Sequence, residues 1–474
     1  MSDLPQGWEW ARLEDLAANE PRAITDGPFG SNLKSEHYRP SGARVLRLQN
    51  IGDGYFRDEK AYIELEHFEK LRAYEAREGD LLIASLGDDP PRACLVPKLH
   101  EPAIVKADCI RVRLSPRIEP LWVMYALLTP AIKAYAANLI KGVGRPRLGL
   151  SQIRSIPIPI PPRNEQLRIV EALEDHLSRL ESGASTLSMA VQRLHRLAAA
   201  IIAAGSSGAL TGVGELATTQ LPDVGLNDGA LPPLPRTWYW TRLYDIAEVV
   251  SGITKDAKKQ ADVELMEVPY LRVANVQRGR IDLTTVATIR APKTKIEQLA
   301  LRPGDVLLNE GGDRDKLARG WIWEGQLPLC IHQNHVFRAR IRDGVLDPRI
   351  LAWHANSFGK AWAEANGKQS VNLASISLSK IRLMPVPVPP KGEQELVART
   401  IQEQVDGVGR LLHAVSSEKG RTRQLRRSLL AEAFAGRLVQ RVSNDVPASA
   451  LLEGIRAERA TLQEPKWQRR KHTT

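Results

Sequence analysis

The sequence predicts an α+β protein written twice: two tandem mixed α/β domains, each followed by a long helix, with the two helices pairing as an antiparallel coiled coil. Three observations predict this. The chain repeats itself at long range, each copy opens with short β-branched runs broken by Gly and Pro, and each copy ends in a heptad-patterned stretch.

The repeat comes first. LPQGWEWARLEDLA from Leu4 returns as LPRTWYWTRLYDIA from Leu234, an offset of 230. LRLQNI (Leu46 to Ile51) returns as LRVANV (Leu271 to Val276) and EGDLLI (Glu78 to Ile83) as PGDVLL (Pro303 to Leu308), both at 225. IPIPIPPRNEQ (Ile156 to Gln166) returns as MPVPVPPKGEQ (Met384 to Gln394), at 228. Four matches in one order, at a period far above the roughly 20 to 50 residues of a solenoid, mean duplication of a whole domain.

Within the first copy, ARVLRLQNI, DLLIAS, AIVKADCIRVRL and SIPIPIP read as strands, separated by turns at GPFGS, GDG, GDDPP and GVGRP. The second copy offers YLRVANV, DVLLNE, CIHQNHVFRARI and RLMPVPVP. Beyond Pro161-Pro162 the pattern changes. Leu173, Leu177, Leu180, Ala184, Leu187, Val191, Leu194, Ala198 and Ile201 recur at steps of four and three, the seam of a coiled coil. Its counterpart, Ile401, Val405, Val408, Leu412, Val415 and Leu429, is interrupted by Lys419, Thr422 and Arg426, so one end is expected to be looser.

These boundaries give mixed domains at 1–162 and 234–390, long helices at 163–205 and 391–436, a linker at 206–233 low in charge, and a basic C-terminal extension at 437–474. A short helix is expected near Ala448 to Leu462, with no role legible.

The formal net charge is +11, but residues from Arg421 onward carry 12 Lys/Arg against 5 Asp/Glu. Overall basicity therefore says little about the body of the chain, and a tail of this kind reads as a loosely interacting extension. Cys94, Cys109 and Cys330 are far apart and form no metal or disulfide pattern, which suits buried thiols in a reducing compartment. No apolar run approaches the roughly 20 residues of a membrane span, and Met1 to Gly7 has no signal-peptide pattern, so a soluble cytoplasmic protein is expected.

Catalytic patterns are absent from this reading. Gly142-Val143-Gly144 runs into Arg145-Pro146-Arg147, where proline blocks a dinucleotide-type helix start. Asp89-Pro90-Pro91-Arg92 lacks the aromatic that adenine methyltransferases place fourth, and reads as a turn. In His332-Gln333-Asn334-His335, strand alternation would turn the two histidines to opposite faces, away from a shared metal. Glu165-Gln166 and Glu393-Gln394 sit at helix starts, where an acid suits the helix dipole. The chain is expected to be a non-catalytic subunit with no metal or cofactor of its own.

What remains are glycine-bearing basic and amide loops. The first copy has Ser31, Asn32 and Lys34 after GPFG, then Lys141, Arg145 and Arg147 around GVGRPR. The second has Lys255, Lys258 and Lys259 after SGIT, Arg314, Lys316 and Arg319, Gln333, then Lys368, Gln369 and Asn372 after Asn366-Gly367. Singly, each is an ordinary solvated surface. Their recurrence at corresponding places, Gly142 and Gly367 sharing the offset of 225, points to contact with double-stranded DNA through phosphates and base edges.

Together these features resemble the specificity subunit of type I restriction-modification enzymes, over nearly the whole chain to about Arg441. The most telling segments are the Leu-Pro-x-x-Trp-x-Trp starts, DGPFGSNLK, GGDRDKLARG, CIHQNHVFR, the two Pro-rich runs before the helices, and AEAFAGRL (Ala431 to Leu438). The resemblance implies two target recognition domains, each reading one half of a split DNA sequence, and paired helices that fix the unread spacer. It also implies partners: two modification (methyltransferase) subunits using S-adenosylmethionine, and restriction (translocase and nuclease) subunits using ATP and Mg.

The sequence departs from the pattern at two places. AAGSSGAL (Ala203 to Leu210) stands where AEAFAGRL is expected, with Ser207 in the place of the aromatic. KADCIRV (Lys106 to Val112) aligns with HQNHVFR (His332 to Arg338), so the two domains should read different bases. A type IIB-like recognition subunit, or a coiled-coil scaffold joining two protein-binding domains, are the competing readings.

Overall fold

Alternation of β-branched residues with Gly and Pro turns builds the same sheet twice. The computed structural model describes residues 4–87, 90–140, 147–211, 214–256, 260–262, 264–312, 316–369, 373–442 and 444–463. Two compact units divide the chain: residues 1–186 with 418–474, and residues 187–417.

In the first unit, Ile24–Thr25, Cys109–Val112, Leu81–Ala84 and Arg92–Leu95 form a four-stranded antiparallel sheet in that order. In the second, Ala247–Ser251, Val336–Ile341, Val306–Asn309 and Gly320–Ile322 form its equivalent, with the same order of repeats. A second sheet in each unit carries one parallel pairing, Ala43–Leu46 with Ala103–Val105 in the first and Met266–Leu271 with Ile331–His332 in the second.

The runs AIVKADCIRVRL and CIHQNHVFRARI, read as single strands from sequence, are each two strands serving two sheets. Asp108 adopts φ +70°, and Asn334-His335 forms a turn, so the chain breaks at equivalent points. His332 therefore ends one strand while His335 lies in the turn, and simple alternation does not describe them. His332 is buried with Nδ1 2.6 Å from the Val336 carbonyl, whereas His335 is exposed and pairs with Glu310 at 2.5 Å.

The Pro-rich runs Pro157–Ile160 and Pro385–Val388 pair antiparallel with Glu9–Arg12 and Tyr239–Arg242 in two-stranded sheets. An edge position suits them, since proline has no N–H for a second neighbour.

Each Pro-rich strand feeds a 44-residue helix, Arg163–Ser206 or Lys391–Phe434. Every seam position from Leu173 to Ile201 is buried or half-buried, while the positions between them along the middle of the helix are mostly exposed. Lys419, Thr422 and Arg426 lie half-buried in the same frame of the second helix. The helices pair antiparallel. In the first unit Arg426 reaches Glu181 at 3.3 Å, and in the second Ile401 packs against Gly205.

The core of the first unit joins Trp8, Leu13, Leu16 and Trp122 to Leu173 and Leu177 of the first long helix and to Leu430 and Ala433 of the second. In the second unit Trp238, Leu243 and Ile350 pack with Ile202 and with Val397, Ala398 and Ile401.

Within the described residues, which end at 463, the C-terminal segment packs where a loose extension was expected. Helix Ala448–Gln463 buries Ala448, Leu452 and Ile455 in the first unit's core. Arg459 donates to the carbonyls of Glu14 and Ala17, and Arg117 pairs with Glu458 at 2.6 Å. The 206–233 stretch also packs: Asp228 accepts from Arg242 and from the Trp362 indole, and Leu210, Leu221, Leu226 and Leu231 rest on the second unit's core.

Candidate nucleic-acid interface

The loops singled out by the repeat converge, within each unit, at one place on the four-stranded sheet. Glycine makes this possible. A Cβ on Gly27 would lie 2.1 Å from the Lys106 carbonyl carbon, and one on Gly252 would lie 2.0 Å from the His332 carbonyl oxygen. The two glycines pack on the backbone at the same crossing, one residue apart in register because Lys106 is equivalent to Gln333, and no residue with a side chain fits either position.

In the first unit Asp26 fastens the junction. Its Oδ1 accepts from the N–H groups of Gly27 (2.8 Å) and Asp108 (2.9 Å), and its Oδ2 accepts from Arg147 Nη2 (2.9 Å). Burial raises the Asp26 pKa above the ordinary carboxylate value, against the opposing pull of those N–H groups and of Arg147. Arg147 also pairs through Nε with Asp108 (3.0 Å) and lies over the Phe29 ring at 5.1 Å. Leu86 and Arg147 form a backbone bridge, and Leu148 N–H donates to the Ser85 carbonyl, so this arginine stands on fixed backbone.

The second unit makes the same stitch with different chemistry. Ser251 Oγ donates to the Asn334 carbonyl (2.8 Å), and Asn334 N–H donates to the Ile253 carbonyl (3.0 Å). Gly311–Gly312, Ala374–Ser375 and Lys368–Gln369 form a small three-stranded sheet at this place. The Glu310 carbonyl accepts from Ile376 N–H, and its carboxylate holds His335.

The structure sorts the sequence-predicted residues. Ser31 and Asn32 lie exposed on the 3-10 turn Gly30–Asn32, and Lys34 is exposed with Glu36 3.5 Å away. Lys255, Lys368 and Gln369 are exposed, and Lys316 and Gln333 are half-buried at the same loop cluster. Arg319 is a correction. It is 9% exposed and donates through Nε to the Val276 carbonyl (3.1 Å), so it braces the second unit's interior and is not a surface contact. Lys141, Arg145, Lys258, Lys259, Arg314 and Asn372 lie outside the described residues, as does Asp89 of the Asp-Pro-Pro-Arg turn.

Sequence reasoning missed Asp26 and Asp108, the two carboxylates that hold Arg147. It also missed a pair of equivalent clefts. One, of about 490 Å³ in the first unit, is lined by Asp53, Leu128, Pro130, Lys133, Arg423, Arg426, Arg427 and Leu430. The other, of about 740 Å³ in the second unit, is lined in part by Arg278, Asn356, Phe358, Lys360, His195, Ala198, Ala199 and Ile202. At the repeat offsets of 225 and 228, Asp53 corresponds to Arg278, Leu128 to Asn356, Pro130 to Phe358, Arg423 to His195, Arg426 to Ala198, Arg427 to Ala199 and Leu430 to Ile202. Both clefts keep cationic groups, on different residues.

The residue in place of the first copy's missing aromatic is Ser206, one position before the Ser207 expected from sequence. Gly208 and Gly436 both end their helices in the left-handed region, at φ +78° and +67°, which aligns Phe434 with Ser206, not Ser207. Phe434 stacks on Trp122 at 4.2 Å, whereas Ser206 turns its hydroxyl onto the Ile202 carbonyl and borders the second cleft.

Among the described residues no group of three His, Cys, Asp or Glu is placed to hold a metal, and no helix is long and apolar enough to cross a membrane. The three cysteines are buried, and burial pushes the Cys94 and Cys330 thiols up to about 12.

Comparison with known proteins agrees with this architecture. A family model described as the type I restriction modification DNA specificity domain matches residues 5–186. The EcoBI specificity subunit of Escherichia coli is 24% identical over 463 residues, covering 95% of this chain and 92% of the relative. The StySPI specificity subunit of Salmonella potsdam is 23% identical over 482 residues, covering 99% of each. A solved chain from a study of assembly and conformational transition in the type I R-M system superposes with a TM-score of 0.67 at 20% identity, covering 92% of this chain and all of the other. The HsdS subunit from Thermoanaerobacter tengcongensis superposes with 0.51 at 18% identity, covering 92% of this chain and 98% of its own. The duplicated fold and the paired helices are thus shared with type I restriction-modification specificity subunits, to which this chain is similar along nearly its full length.

Proposed function

We propose that this chain is the address of a type I restriction-modification complex. Each loop cluster reads one half of a split, asymmetric target in double-stranded DNA, and the paired helices set the unread spacer. The carrying observation is that one loop junction is built twice, around Gly27 and around Gly252, with different side chains at equivalent positions. A shared frame with unlike reading groups suits two unlike half-sites. Joining two weak readers on one chain makes the second contact intramolecular, so each half-site strengthens the other.

The chain itself performs no bond-breaking step in this reading. Two modification subunits would bring S-adenosylmethionine and methylate adenine, and restriction subunits would use ATP and Mg to translocate and cut, in the cytoplasm. The equivalent clefts support two copies of one partner, since each unit offers the same three elements as a docking place.

The test is to express this chain with its neighbouring modification subunit and sequence the modified adenines. One split motif with two different halves is expected. A continuous or palindromic motif, or none with an active partner, would refute the assignment.

A further inference from the structure

Arg147 is held as a reading group is held. Its Nη2 donates to Asp26 (2.9 Å), its Nε lies 3.0 Å from Asp108 Oδ1 as an ion pair without hydrogen-bond alignment, and its face lies over Phe29. No hydrogen bond or ion pair among the described residues uses Nη1, and the side chain is 40% exposed. The end edge, formed by Nη1 and the outward proton of Nη2, is therefore presented to whatever approaches the loop cluster.

Charge decides what that is. Two carboxylates stand against one guanidinium, so the group as a whole repels a phosphodiester. A neutral base edge suffers no such repulsion. Guanine places two acceptors, O6 and N7, on its major-groove edge at the spacing of the two outer guanidinium N–H groups, and no other base does. A fork already held by the Asp26 hydrogen bond, the Asp108 ion pair and the Phe29 ring also loses little side-chain entropy on binding.

We propose that Arg147 reads a guanine in the half-site of the first unit, with Asp26 and Asp108 as positioning residues; this rests on the DNA-reading assignment above. The strand pairings put Ser251 and His335 at the places of Asp26 and Asp108, so the two-carboxylate arrangement belongs to one half-site only.

The experiment uses the complex of this chain with its modification subunit. Modified adenines are sequenced for the wild type, Arg147→Lys, Arg147→Ala and Asp26→Asn, and binding is measured on target duplexes carrying 7-deazaguanine at each guanine of the first half-site in turn. One 7-deazaguanine position should weaken wild-type binding about 2- to 10-fold, as loss of half of a bidentate contact implies. Arg147→Ala should bind that duplex and the normal one equally, and its motif should become degenerate at that base alone. Arg147→Lys should do the same, because an ammonium is no fork. Asp26→Asn should loosen the same position while every other base is kept, a pattern that general loss of structure would not produce. The second half-site, unchanged in every variant, reports that the protein is folded. If Arg147→Ala keeps every base of the motif, or no 7-deazaguanine matters to the wild type, the proposal is overturned. If the wild type modifies no split motif, the DNA-reading assignment itself falls.

Discussion

Trp8 and Glu165 are 157 residues apart, yet the indole Nε1 donates to the Glu165 carboxylate at 3.1 Å. Trp238 and Glu393 repeat the bond at 2.9 Å. The neighbouring glutamines repeat as well: Gln166 spans the Pro161 carbonyl and the Glu119 N–H, and Gln394 spans the Pro389 carbonyl and the Asp347 N–H. The Glu-Gln pair thus ties each long helix to the domain before it, a larger role than favouring a helix dipole.

Burial raises the Glu165 pKa, and the Trp8 bond opposes that rise. Trp8→Phe keeps most of the apolar ring but leaves a partly buried carboxylate without its donor. It should destabilise the first unit by about 1–3 kcal/mol. Glu165→Gln keeps an acceptor for the indole without a charge to bury, and should cost less. Urea unfolding checks both; equal stability of Trp8→Phe and wild type would show that the bond contributes nothing.

The second unit should be acid-sensitive. His354 Nε2 donates to the Pro385 carbonyl at 2.7 Å, His332 Nδ1 donates to the Val336 carbonyl, and burial pushes both pKa values down to about 4. In the unfolded chain a histidine titrates near 6.5. The unfolded state therefore binds more protons in the window between, and stability falls as pH drops from about 6.5 toward 4. His354→Gln retains a donor for Pro385 but cannot titrate there. Its unfolding midpoint should vary less between pH 7 and pH 5 than that of the wild type, and an unchanged slope would acquit His354.

How much of this was legible follows from the range of the signals. The duplication and both helices could be read because their patterns are local or periodic, as from Leu173 to Ile201. Arg319 could not be placed. A basic residue in a Gly-rich run looks the same whether it points out or, as here, toward a carbonyl 43 residues away. Asp26 and Asp108 were passed over because acids in a DNA-facing loop look unhelpful until the arginine between them is seen. A signal existed in part: the offset of 225 sets Asp26 against Ser251, whereas the match of KADCIRV to HQNHVFR is one residue out, since the strand pairings set Asp108 against His335 and not Asn334. The terminal helix had no repeat partner to give it meaning, although Leu452 and Ile455 are spaced to share one face.

The cleft of the first unit exposes Arg423 and Arg427, one helical turn apart on the second long helix. Reversing both to Glu should release one modification subunit and leave the other, because the second unit's cleft uses His195, Arg278 and Lys360. Native mass spectrometry of the purified complex should show the step from two copies to one. Unchanged stoichiometry with a shallower salt dependence of DNA binding would instead make these arginines phosphate contacts.

The helices should act as a ruler whose length is separable from what is read. In the second unit Gly205 meets Ile401, and in the first Glu181 meets Arg426, so residues near 187–193 are matched in the antiparallel register by residues near 413–419. Deleting both heptads keeps the seam in phase and removes about 10 Å from each helix, at 1.5 Å per residue. Duplex DNA rises about 3.4 Å per base pair, so the permitted spacer should change by up to about three base pairs. Both half-sites should stay as they are, since no residue of the loop junctions is touched. Sequencing of modified adenines reads spacer and half-sites together. A motif with altered half-site bases and the original spacer would sink the ruler, whereas deleting one heptad alone, which throws the seam out of register, should abolish modification.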